Sequence, residues 1–104
     1  MIKIEINAAE YDLGDDLKSR IERVFGGLDE YMDTLENGDV IITWVGGANE
    51  QTKVHARVWG PGVHFEATDT DWKSVTAVDQ TRDKLKTQIR REHGKEDSER
   101  GRRH

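Results

Sequence analysis

"TKVHARVWGPGVHFEATDTD" spans Thr52 to Asp71, and its reading decides the fold. In its first half Val54, Ala56 and Val58 alternate with His55, Arg57 and Trp59. A two-residue period of this kind marks a strand with one buried face. Gly60-Pro61-Gly62 then turns the chain, and Val63, Phe65 and Ala67 alternate in turn. Two alternating runs around a tight Gly/Pro turn make an antiparallel hairpin. Upstream, "VIITWV" (Val40–Val45) is rich in β-branched and aromatic residues, and "GGANE" (Gly46–Glu50) reads as the turn that joins it to the hairpin. The three strands therefore form an antiparallel meander.

Working outward, "IKIEI" (Ile2–Ile6) is a fourth half-buried strand with its three isoleucines on one side. Gly14 is an acceptable helix N-cap, and Asp15 and Asp16 fall in the first turn, where the positive helix end favours carboxylates. Leu17, Ile21, Val24, Phe25 and Leu28 recur at helical spacing, which predicts a helix over about Asp15–Met32. Gly26-Gly27 is its weak point, at roughly 1 kcal/mol per glycine relative to alanine. After the hairpin, Asp69 to Asp71 offer caps to a second helix over about Asp71–His93, with Val75, Val78, Leu85 and Ile89 as its apolar seam. The order β-α-β-β-β-α gives an α+β fold of two layers, a four-stranded sheet with both helices on one face. Residues 1–93 form a single domain, and 94–104 contain no apolar side chain and are expected to be a disordered charged tail.

The chain has 104 residues, with 34% hydrophobic and 36% charged side chains. A thin core and a heavily solvated surface follow. It has no cysteine, so disulfides and thiolate metal sites are excluded and a reducing compartment is expected. The N-terminal residues alternate and do not form the apolar core of a signal peptide. No apolar run approaches the ~18 residues of a membrane span. A cytoplasmic protein that does not enter membranes is the expectation. The net charge is −5 but divided, since residues 1–80 sum to −9 and residues 81–104 to +4. Such asymmetry marks a local polyanion-binding surface or, more simply, cations favoured near a helix C-terminus.

Catalytic chemistry finds no foothold. Ser19, Ser74 and Ser98 lie outside any nucleophile elbow, and "GGANE" and "GPG" lack the lysine and helix of a phosphate loop. His55 and His64 lie on neighbouring strands, where two exposed strand histidines are the simpler reading than a metal pair. No enzyme activity, metal, cofactor or small-molecule substrate is expected. The polar side of the second helix is more informative. At 100° per residue, Lys73, Gln80, Gln88, Arg91 and Lys95 fall within about 40° of Lys84, with the apolar seam about 140° away and Lys86 and Arg90 on the other flank. A basic stripe on an outward face is a plausible phosphate ladder, and a solvated face is the bland alternative. Trp59, with His55 and Arg57, is expected on the sheet face opposite the helices, where cross-strand packing or a protein contact is commoner than base stacking.

The sequence resembles the short members of the hibernation-promoting factor and ribosome-associated inhibitor (sigma-54 modulation) family. The residues that carry this are "IKIEI" with "YDLGDDLKSRIERVFGGLDEYMD" at the start, "VWGPGVHFEATDTD" in the hairpin, and "AVDQTRDKLKTQIRREHGK" (Ala77–Lys95) in the closing helix. The resemblance covers about residues 1–95. It implies the same fold, similar to a double-stranded-RNA-binding domain. It also implies docking in the decoding region of the small ribosomal subunit, on rRNA phosphates, with translation blocked in resting or stressed cells. Carried over residue by residue, Lys84 takes the place of the family's Asp-Lys-Leu lysine, and Gln88, Arg91 and Lys95 match its polar and basic positions. Lys86 and Arg90 flank them, and Lys18, Arg20 and Arg23 are the cations of the first helix. Val24, Gly27 and Thr87 stand where the family commonly has lysine or arginine, and Lys73-Ser74-Val75 replaces an Asp-Met-Tyr step. Fewer phosphate contacts imply weaker binding with a shallower salt dependence.

Two functions remain open at this level. One is a ribosome-docking factor that uses Lys84, Arg91 and Lys95 with their neighbours. The other is a protein-interaction or regulatory module that kept the fold, lost tight RNA binding and uses the sheet face around Trp59.

Overall fold

The structure, a computed structural model, describes residues 1–8, 12–46 and 50–102, with side chains through His93. The elements are β1 (Lys3–Asn7), α1 (Gly14–Gly26), a 3-10 turn at Gly27–Glu30, β2 (Asn37–Val45), β3 (Gln51–Gly60), β4 (Val63–Asp71) and α2 (Ser74–Arg102). The sheet order is β1-β2-β3-β4. β1 runs parallel to β2, as the α1 crossover requires. The other pairs are antiparallel, with Val40 opposite Ala56 and Ala56 opposite Ala67. The meander and the two-layer arrangement are therefore as the alternation implied. Residues 47–49 of the "GGANE" turn lie outside the described residues.

The helix layer covers one sheet face. Val40 and Ile42, Val54, Ala56 and Val58, and Phe65 and Ala67 meet Ile21, Phe25 and Leu28 from the α1 side and Val78, Leu85 and Ile89 from α2. Phe25, Val54, Leu85 and Ile89 are completely buried. Among the described residues, no helix is long and apolar enough to cross a membrane.

The helix boundaries differ from the spacing argument at three places. α1 stops at Gly26 and tightens into the 3-10 turn instead of continuing to Met32, because the glycine pair is where helical propensity is lowest. Gly14 begins the helix with a φ of 67°, and its N–H donates to the Asp12 carboxylate at 3.2 Å. That left-handed backbone suits glycine alone. Asp69 to Asp71 belong to β4, and α2 starts at Ser74. The Lys73 carbonyl accepts the first helical bond, from Ala77 N–H at 3.0 Å, while the Asp71 carboxylate accepts from Lys73 N–H at 2.9 Å. The helical backbone runs past His93 to Arg102, and the side chains of 94–104, Lys95 among them, lie outside those described.

Candidate nucleic-acid interface

The orientation of α2 governs where its cations point. Its buried residues are Ala77, Val78, Thr81, Leu85 and Ile89, whereas Val75 is 45% exposed. Adding Ala77 and Thr81 to the seam and removing Val75 turns its centre toward Lys84. The angle between them falls from about 140° to about 90° at 100° per residue. Thr81 tolerates burial because its hydroxyl donates to the Ala77 carbonyl one turn back, at 2.8 Å.

Lys84 consequently lies along β4 and not at the centre of an outward ladder. Its Nζ donates to the Thr68 carbonyl at 2.9 Å and sits 3.3 Å from Asp69 Oδ2. Gln88 Nε2 donates to the Glu66 carbonyl at 2.8 Å. β4 is an edge strand, so these two side chains take up carbonyls that the sheet leaves unpaired. Lys84, Gln88 and Arg91, with Asp83, Thr87 and Ala67, line a shallow groove on this flank. Arg90 points to solvent on the far side of the helix from the core, and Lys86 turns toward α1, its Nζ 5.1 Å from the Tyr31 ring.

The α1 cations separate in the same way. Arg20 forms a two-pronged pair with Asp79 of α2, Nε to Oδ1 at 3.1 Å and the second nitrogen to Oδ2 at 2.7 Å. This fork-to-fork contact joins the two helices. The hydrogen bonds to Asp79, then its charge, raise the Arg20 pKa above the ordinary arginine value. Arg20 and Arg23 line a cleft between the start of α1 and the start of α2, with Ser74 and Val75 opposite. Lys18 lies on the other side of α1, beside Ile6 and Ala8. Among the described residues, Lys18, Arg23, Arg90 and Arg91 have neither a carboxylate nor a ring partner. Of the cations named from the sequence, Lys84 and Arg20 are engaged in contacts within the fold and Lys86 lies against the Tyr31 ring, while Arg90, Arg91, Arg23 and Lys18 have no such partner among the described residues.

The partners of the engaged group were not visible in the spacing. Asp69 and Asp79 belong to other contacts than the i,i+4 pairs that an isolated helix would offer. The one available signal was the smallness of Ala77 and the hydroxyl of Thr81, both compatible with burial against β3 and β4.

The open sheet face carries Trp59, Arg57 and His55, as the alternation implied. Arg57 is paired with Asp39 across β2, with Nε to Oδ1 at 3.0 Å, and its guanidinium lies 5.8 Å from the Trp59 ring centre. The same bonds to Asp39 raise the Arg57 pKa. His55 Nε2 lies 2.6 Å from Glu66 Oε1. His55 stands opposite Thr68 and His64 opposite Trp59, so the two histidines are four register positions apart and do not form a pair. Among the described residues, no three metal-ligating side chains gather.

Comparison with known proteins gives one family and a set of solved structures with a similar fold. The model of the family described as "Sigma 54 modulation protein / S30EA ribosomal protein" matches residues 4–97. No curated protein matches the chain at a significant level. Among solved structures, the N-terminal domain of Protein Y from Thermus thermophilus superposes with a TM-score of 0.75 at 23% identity, covering 88% of this chain and 98% of that one. A ribosomal subunit interface protein from Coxiella burnetii gives a TM-score of 0.77 at 20% identity, covering 89% and 99%. At these identities the structures establish a shared fold.

Proposed function

The chain belongs to the sigma 54 modulation protein / S30EA ribosomal protein family, a family of ribosome-binding proteins without catalytic activity, and from that premise we propose that it docks on the small ribosomal subunit through its helix layer. The docking partner is rRNA phosphate in the decoding region, and the consequence is occlusion of the space that mRNA and tRNA use. The protein acts in the cytoplasm of resting or stressed cells and needs no cofactor or metal for this.

The observation that carries the reading is the set of cations Arg90, Arg91, Arg23 and Lys18, exposed and unpartnered among the described residues, on an otherwise acidic chain. Phosphate binding by such groups gains free energy from counterion release and needs no base-specific contact. Arg90 and Arg91 are central, Lys86 borders them from its position over the Tyr31 ring, and Lys95 extends the same helix. Lys84 and Arg20 contribute by fixing α2 and α1 in place. The −9 carried by residues 1–80 opposes indiscriminate RNA binding, so the local patch selects a surface whose shape brings phosphates to the exposed cations of the helix layer.

Co-sedimentation with small ribosomal subunits tests this at low and moderate salt. Saturable binding that weakens with salt is the expected result. Absence of binding at both salt concentrations contradicts the proposal.

A further inference from the structure

One end of the molecule sets exposed aromatic rings beside carboxylates that no cation serves. Trp44 continues the core-facing row of β2 after Val40 and Ile42. It stands opposite Thr52 of β3, which stands opposite Asp71 of β4. Two strand spacings, about 10 Å, therefore separate Trp44 from Asp71. Trp72 follows Asp71, and Val75 lies in the first turn of α2. Thr52 is buried in the middle of this row, but Trp44 is 50% exposed, Trp72 is 72% exposed and Val75 is half-exposed.

β1 is parallel to β2, so α1 begins at the same end. Val75 shares its cleft with Asp12, Asp15 and Asp16 from the start of α1. None of these three carboxylates has a cation partner among the described residues. Arg20 lines the same cleft, but its charge is taken by Asp79, which leaves Arg23 as the opposing cation.

Exposed aromatic rings are characteristic of contact surfaces, because they bury a large area at a small cost in side-chain entropy. The carboxylates decide what the rings meet. They repel the phosphates of a nucleic acid and attract a cationic chain. Trp72 already takes a cation within the molecule, since Lys73 Nζ lies 4.9 Å from its ring centre.

We propose that this end of the molecule docks an extended, arginine-rich segment of another protein, with guanidinium groups stacked on Trp44 and Trp72 and paired with Asp15 and Asp16. Arginine suits both roles, since its plane lies flat on an indole and its fork matches a carboxylate. About three residues of an extended chain span the row from Trp44 to Asp71. Val75 and Arg90 are 15 residues apart, about 22 Å along α2, so a segment docked here leaves the Arg90 and Arg91 end uncovered. The proposal therefore stands or falls independently of ribosome binding.

The test is a nuclear magnetic resonance titration of the full chain in low salt with a blocked peptide of four arginine-glycine repeats, up to about 1 mM. Saturable shifts are expected at the indole N–H of Trp44 and Trp72 and at the amides of Asp15, Asp16 and Val75, with the Trp59 indole unmoved. Trp72→Ala should weaken binding about threefold, the value of one exposed cation–ring contact. Asp15→Asn/Asp16→Asn should weaken it by about the same factor through two exposed ion pairs. These side chains are exposed, and circular dichroism checks that each variant is folded. The same peptide with uncharged citrulline in place of arginine should not bind. No shift up to the highest concentration, shifts that spare both indoles, or equal binding of the citrulline peptide would each overturn the proposal. So would a single-stranded RNA oligonucleotide that moves the same indole resonances, since the rings would then be a base-stacking site.

Discussion

Lys84 and Arg91 lie on one flank of α2 yet do different work, and the difference rests on single contacts. Lys84 is held by the Thr68 carbonyl and Asp69, whereas Arg91 has no partner among the described residues. Lys84→Ala should lower stability by about 1 kcal/mol, the net value of one such hydrogen bond, as read by urea unfolding. Glycine positions divide just as sharply. A Cβ at Gly60 would collide with the Thr34 carbonyl, so Gly60→Ala should cost about 3 kcal/mol or prevent folding. A Cβ at Gly27 meets nothing within 4 Å, and its φ is −78°. Gly27→Ala should therefore stabilise by about 0.5 kcal/mol, through the lower entropy of the unfolded chain. Thermal melts of the two variants should move in opposite directions. Neither outcome is legible in the sequence, where both are loop or helix-end glycines, because close approach is a property of the folded backbone.

At the scale of elements, alternation in Val54–Val58 and Val63–Ala67 was enough to place β3 and β4 and their buried faces, since a strand has only two faces to choose between. A helix offers a continuum, and the seam of α2 was set about 50° off by counting Val75 and omitting Ala77 and Thr81. The shift is small for the fold, and it places Lys84 beside the β4 edge, where its side chain remains half exposed, and not at the centre of an outward stripe. Tertiary pairing of the helices was equally hidden, since Arg20 and Asp79 are 59 residues apart. That pair gives a pH prediction. The Arg20 pKa is raised by its hydrogen bonds to Asp79 and then by the Asp79 charge, so its contribution is fully present below the ordinary arginine pKa and is lost only as pH rises through the raised value. The difference in melting temperature between wild type and Arg20→Gln should stay constant from pH 7 to pH 10, ranges that leave arginine charged. A difference that shrinks across that interval would contradict the assignment.

For the whole molecule, the charge asymmetry was readable from composition, and it separates an acidic body from a cationic helix end. What composition could not separate is which cations the fold consumes. The free set is smaller than the sequence suggested, so ribosome binding should have a shallow salt dependence. Placing a lysine at Gly27, an open position on the helix layer, should add about one unit to the slope of log affinity against log salt if it meets a phosphate. The most direct test of the account compares wild type with Arg90→Glu/Arg91→Glu in co-sedimentation with small ribosomal subunits at one low salt concentration. Both residues are exposed and unpartnered among the described residues, so the variant should melt like wild type. The account predicts that the folded variant no longer co-sediments, whereas Lys84→Ala still does. A folded Arg90→Glu/Arg91→Glu variant that binds as tightly as wild type would contradict it.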